Sequence, residues 1–168
     1  FTKRQTGLSK MKKKVFIVSI ILMIIIIVFS ISVYRTANAP LRRAEKEAFA
    51  VAKDAAGLTE VTDFYWYNGT QTYFTVTGLN EENEEIVAIV AQDGGATTVL
   101  NKKDLVTEKQ AIQLAKKETN AKEVLEARIG IEEDTAVWEV AYKQENGRLG
   151  YYVLSLETGE WIKGIENI

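Results

Sequence analysis

The sequence predicts an α+β fold in two similar units behind an N-terminal membrane anchor. Three observations carry this. An uncharged run of 20 residues stands at Val15–Tyr34. Beyond it, an amphipathic helical pattern opens each half of the remaining chain. After each helix come short alternating segments separated by turn residues, the signature of antiparallel strands.

The run VFIVSIILMIIIIVFSISVY holds eight isoleucines, and only Ser19, Ser30 and Ser32 interrupt it with polar side chains. At about 1.5 Å per residue it spans roughly 30 Å, the hydrocarbon thickness of a bilayer. Lys3, Arg4, Lys10, Lys12, Lys13 and Lys14 precede it without a single acid. Basic residues near a span stay on the cytoplasmic side, so the expected topology is N-terminus inside and the rest outside. Ala37-Asn38-Ala39 has the form of a signal-peptidase site. Pro40 directly after it fits that enzyme poorly, and the run is long for a signal core, so an uncleaved anchor is expected. Met11 with its three lysines has the look of a natural start, and residues 1–10 are expected to add no element.

Pro40 ends the anchor and suits the first turn of a new helix. Leu41, Ala44, Ala48, Val51, Ala52 and Ala55 then recur at three- and four-residue intervals up to Gly57. The small alanine face predicts close packing on a sheet. A hairpin follows, with strands at 61–67 and 70–77 about an Asn68-Gly69 turn. That turn pairs Tyr67 with Thr70, Tyr65 with Thr72, and Asp63 with Phe74. Strands are expected at 86–91, apolar on both faces, and at 97–100 after the Asp93-Gly94-Gly95 turn.

The plan then restarts. Thr107-Glu108-Lys109-Gln110 is a capping box, opening a helix to Glu118 that buries Ala111, Ile112, Leu114 and Ala115. Strands follow at 123–131, 136–143, 148–156 and 161–162. The second of these should be half-buried, with Ala136, Trp138, Val140 and Tyr142 inward. Phe74-Thr75-Val76 lines up with Trp138-Glu139-Val140, and Asp93-Gly94 with Thr158-Gly159, as in a tandem repeat. The boundaries are a basic tail over 1–14, an anchor over 15–34, and α+β domains over 35–104 and 105–168.

Of 21 basic and 23 acidic residues, six bases precede the anchor, so residues 35–168 carry 15 − 23 = −8. Such a domain has no general attraction for nucleic acid. The chain lacks histidine and cysteine, which removes the commonest general base, nucleophiles and transition-metal ligands. Outside the anchor only Ser9 and Ser155 remain as serines, in no nucleophile motif. No catalytic, cofactor or metal residue is nominated, and an enzyme is not expected. The acids at 81–85 and at Glu132-Glu133-Asp134 lie in predicted loops and read as solvated, without the spacing of a calcium loop. What exceeds expectation is Phe64-Tyr65-Trp66-Tyr67. Alternation puts Phe64 and Trp66 on one face, Tyr65 and Tyr67 on the other, and one helix covers one face only. These four with Tyr73 are the candidate partner-binding residues, with at least one ring of Tyr65, Trp66 and Tyr67 left accessible.

Tyr151 to Ile162, YYVLSLETGEWI, resembles the closing strands of a PepSY domain, an aromatic-rich strand, a T-G-E turn and a short strand. From Met11 to Ile168 the layout is similar to the YpmB/TseB-like family of Gram-positive bacteria. The resemblance implies an anchor at the cell membrane and two tandem cystatin/PepSY-like units outside it, each a helix on an antiparallel sheet. It further implies a non-enzymatic regulator of cell-wall elongation, without a cofactor, that contacts a membrane-bound penicillin-binding protein. The PepSY resemblance also allows an inhibitor- or chaperone-like module acting on an extracytoplasmic protease.

Overall fold

The computed structural model describes residues 2–94 and 96–166, with side chains from residue 14 onward. The chain divides into two compact units, residues 1–43 and 44–168. In the first, helix α1 covers Thr2–Ala37. It therefore continues through the basic stretch where the sequence pattern gave no element. Residues Lys14–Ala37 reach a mean hydropathy of 3.2, long and apolar enough to cross a membrane. The large apolar side chains from Val15 to Tyr34 are all exposed. The chain breaks at Asn38, whose side-chain amide donates to the Tyr34 carbonyl at 2.8 Å. Helix α2, Ala39–Ala56, restarts with Pro40 in its first turn, where a missing N–H costs no bond.

In the unit over 44–168, the remainder of α2 precedes strands β1 (Leu58–Asn68), β2 (Thr72–Asn80), β3 (Glu85–Ala91) and β4 (Thr97–Asn101). A 3-10 turn at Lys102–Asp104 leads to α3 (Glu108–Glu118) and strands β5 (Ala121–Glu132), β6 (Thr135–Gln144), β7 (Leu149–Ser155) and β8 (Trp161–Glu166). Each set of four strands is an antiparallel meander in sequence order. Two tandem helix-then-sheet units are thus present. Their first strands even share a fault. The β1–β2 register slips at Leu58/Glu60 and at Val61/Asp63, and β5–β6 slips at Ala121/Glu123 and Val124/Glu126. The second pair of slips lies 121 − 58 = 63 residues after the first.

Ala48 and Ala52 of α2 pack on Leu58, Phe74, Val76 and Ile86, and the small side chains let the helix backbone close on the outer face of the first sheet. The inner face has a different cover. Val87 and Ile89 join Ala111 and Ala115 of α3 and Ile129, Trp138 and Leu154 of the second sheet in one core. Thr75, fully buried, donates its hydroxyl to the Ile129 carbonyl at 2.9 Å. The capping box of α3 is present, Thr107 Oγ1 accepting from the Gln110 N–H and Gln110 accepting from the Thr107 N–H.

Three expectations are corrected. Asn68-Gly69 is not a two-residue turn: Asn68 still pairs with Thr72, Tyr67 with Tyr73 and Tyr65 with Thr75. Residues 69–71 form the loop, and the register moves by three from the expected one. The two-residue turn is instead Glu133-Asp134, at φ 46° and 63°, joining β5 to β6. Glu132 is accordingly no loop residue but the last of β5, and it is buried. Finally, β6 is buried on both faces, since Val137 and Ala141 are covered as well as Trp138, Val140 and Tyr142. Gly95 of the Asp93-Gly94-Gly95 turn lies outside the described residues.

Candidate functional site

The aromatic stretch of β1 divides by alternation. Phe64 stacks on Phe74 with centroids 6.0 Å apart, on the α2 side of the sheet, and is half-buried. Trp66 comes next on that side, edge-on to Phe74 at 5.4 Å, and keeps 38% of its surface exposed. It lies beyond the residues that α2 covers. Tyr65 points inward, edge to face with Trp138 of the second unit at 5.5 Å. Burial, then the nearby Asp63 and Glu108 carboxylates, raise the Tyr65 phenol far above its ordinary pKa. Tyr73 is half-buried, 6.4 Å from Tyr67.

Tyr67 is 0% exposed. Its ring lies on the backbone of the second sheet, in a cluster with Val137 and Val153. Two glycines make room. A Cβ on Gly130 would come within 2.1 Å of Tyr67 Cγ, and one on Gly69 within 2.6 Å of the ring. Gly69 therefore serves close approach and not the left-handed backbone that a two-residue turn would require.

The phenol of Tyr67 donates to Glu132 Oε2 at 2.6 Å, and Thr70 donates to Oε1 at 3.2 Å. The Lys163 ammonium pairs with the same carboxylate. Burial alone would push Glu132 up, but the Lys163 and Tyr67 bonds more than offset it and hold the carboxyl below its ordinary pKa. Burial raises Glu139, although Arg128 pairs with it at 2.9 Å. Of the five nominated residues, then, Tyr65 and Tyr67 join the two sheets, Phe64 and Tyr73 support them, and Trp66 alone presents an open ring. Glu132, Lys163 and Thr70 escaped sequence reasoning because nothing near them in the chain marks them as partners of Tyr67. Among the described residues, no three His, Cys, Asp or Glu side chains are grouped to hold a metal.

This hairpin lies within the stretch that a known family matches. A family described as "Cell wall elongation regulator TseB-like domain" matches residues 47–91, from the second half of α2 to the end of β3. The "Probable cell wall elongation regulator TseB" of Bacillus subtilis (strain 168) is 27% identical over 160 residues, spanning 92% of this chain and 99% of that protein. The chain is thus similar to the YpmB/TseB-like family. The solved YpmB protein from Bacillus subtilis has the same fold, with a TM-score of 0.66 at 23% identity over 72% of this chain and 95% of that one. Both members thus correspond to this chain across nearly their whole lengths. The part matched by the family description holds Phe64 to Tyr67 and Tyr73 together with the α2 face that packs on them.

Proposed function

We propose that this chain is a member of that family and a non-enzymatic regulator of cell-wall elongation, anchored through residues 15–34 with its N-terminus cytoplasmic and residues 35–168 outside. It acts by binding a membrane-bound penicillin-binding protein, and Trp66 is the anchor of that contact. The end-to-end correspondence with the Bacillus subtilis regulator carries this reading, because apolar segment and double unit are matched together. Two further features support it. The basic residues before the apolar run favour the stated orientation. Trp66 is a large ring left open beside the buried Tyr67, and aromatic rings of this kind dominate binding hot spots.

A photo-crosslinking amino acid placed at position 66 of the full chain tests the proposal in living cells. Membranes are labelled with a fluorescent penicillin after irradiation. The expected result is a crosslinked band that carries the label from position 66 and none from exposed Glu82 in the loop before β3. A crosslink only to a protease would favour the inhibitor-like alternative. Normal expression with no labelled adduct would remove the penicillin-binding protein from the proposal.

A further inference from the structure

Strand β8 closes the second sheet with one edge unpaired. Its first residue, Trp161, keeps 61% of its surface exposed, more than any other large apolar side chain described beyond the anchor. The indole lies on the α3 side of the strand, with Nε1 3.7 Å from where a Cβ on Gly164 would stand. Ile165, also exposed, points to the opposite face.

A sheet edge offers main-chain N–H and C=O groups that another strand can take up, and proteins blunt such edges with lysine, proline, bulges, short length or cover. The other three edges are blunted. β1 and β5 each slip register twice and lie against one another. β4 has five residues and runs into Lys102 and Lys103. β8 has six residues and no proline. Its one lysine, Lys163, turns its ammonium onto the buried Glu132 and so does not guard the edge. The slip at Ile162 turns that side chain into the Tyr67 cluster, and Lys163 to Glu166 then pair with β7 without interruption.

Charge selects the occupant. Glu157, Glu160 and Glu166 are exposed along β8 and the turn before it. Glu166 accepts from Tyr142 at 2.9 Å, and among the described residues neither Glu157 nor Glu160 pairs with a base. The neighbouring cations are already answered, Lys163 by Glu132 and Lys117 of α3 by Glu118 at 3.2 Å. Arg148 stands beyond the last pair of the ladder and is itself engaged. A second copy of the chain would bring the same three carboxylates against these, and like charges across a strand pair repel.

We infer that β8 is a docking edge for an extended basic segment of a partner protein, added as a fifth strand to the four of the second sheet. About six residues, roughly 20 Å of extended chain, match its length. The main chain pairs along Lys163 to Glu166, apolar side chains pack on Trp161 and Ile165, and flanking lysines or arginines meet the three carboxylates. The inference does not rest on the penicillin-binding reading, which concerns Trp66 on the other sheet.

The full chain, labelled with nitrogen-15 in phosphatidylcholine nanodiscs, is titrated with a capped hexapeptide of sequence lysine–threonine–valine–threonine–valine–lysine. Saturable shifts of the Trp161 indole and the Lys163 to Glu166 amides are expected. The same peptide with glutamate at both ends should bind weaker by about threefold or more, and one N-methylated at alternate residues by about tenfold or more. Ile165→Lys, which guards the edge, and Glu157→Gln with Glu160→Gln should each weaken the lysine peptide by about threefold. Unchanged signals away from β8 show that the variants are folded, and the peptide series on the parent chain does not depend on them. No saturable shift, equal binding of the methylated peptide, or equal or tighter binding of the glutamate peptide would overturn the assignment. A β8 shift that grows with protein concentration in detergent, without peptide, would give the edge to a second copy and overturn it as well.

Discussion

Replacing Tyr67 by Phe removes one oxygen from a fully buried ring and tests what joins the hairpin to the second sheet. The lost bond, 2.6 Å from phenol to carboxylate, has a charged acceptor. Bonds of that kind contribute about 1.5–3 kcal/mol, against about 1 kcal/mol for a neutral pair. Shape is unchanged, so the apolar contacts with Val137 and Val153 persist. Urea unfolding of the full chain in nanodiscs at neutral pH should therefore show a loss of about 1.5–3 kcal/mol. Tyr67→Ala, which also empties the space between Gly69 and Gly130, should cost about 3–5 kcal/mol.

Acid distinguishes this bond from simple packing. Glu132 has its folded pKa below the ordinary value of 4.5. The unfolded chain therefore binds the proton more readily, and the carboxylate's contribution is present above pH 4.5 and fades as pH falls through the folded value. Tyr67→Phe weakens one cause of the depression, so the variant should lose less stability than the parent over the same acid range. Glu139, raised by burial, works in the opposite sense in both proteins and largely cancels in the difference. A neutral-pH loss below about 0.5 kcal/mol, or a loss independent of pH, would mean that the hydroxyl does not hold the carboxylate as described.

Gly130→Ala forces a Cβ to 2.1 Å from Tyr67 Cγ and should destabilise the fold by about 3 kcal/mol, less than additively when combined with Tyr67→Ala in the same urea assay. Thr107→Ala removes the cap of α3 and should cost about 1 kcal/mol, read from the same transition. Trp66→Ala gives up an edge contact with Phe74 worth about 1 kcal/mol, yet should weaken capture of a fluorescent-penicillin-labelled partner by more than about 1 kcal/mol. A variant that is equally stable and captures the partner equally well would deny Trp66 the anchoring role.

How far the sequence could be read depends on the range of the interactions involved. The alanine face of α2, the Thr107–Gln110 box and the doubly apolar β3 rest on neighbours within one or two turns or one strand, and each lies where the pattern put it. Asn68-Gly69 failed because its geometry is settled 62 to 65 residues away, where Glu132 receives Thr70 and Tyr67. The same distance hid Glu132, whose two acidic neighbours do form the turn that the whole cluster was expected to make. The misjudged second face of β6 has a related cause: Tyr67 from the other unit covers Val137. Alternation predicts which residues share a face, but not whether another unit will come to lie on it.

The five aromatic residues illustrate the consequence for function. Trp66 and Tyr67 are adjacent in the chain and opposite in space, one ring facing solvent and the other clamped by Gly69, Gly130 and Glu132. An exposed ring on a mobile hairpin would lose motion on binding, and that loss would subtract from affinity. Here the strand is fixed from below before any partner arrives, by Tyr65 on Trp138 and by Tyr67 on the second sheet. The tandem arrangement thus gives the first unit a rigid backing that its own helix, lying on the outer face, does not provide. A partner seated on Trp66 would meet a preorganised surface, and loosening the Tyr67–Glu132 bond should weaken binding without touching a contact residue.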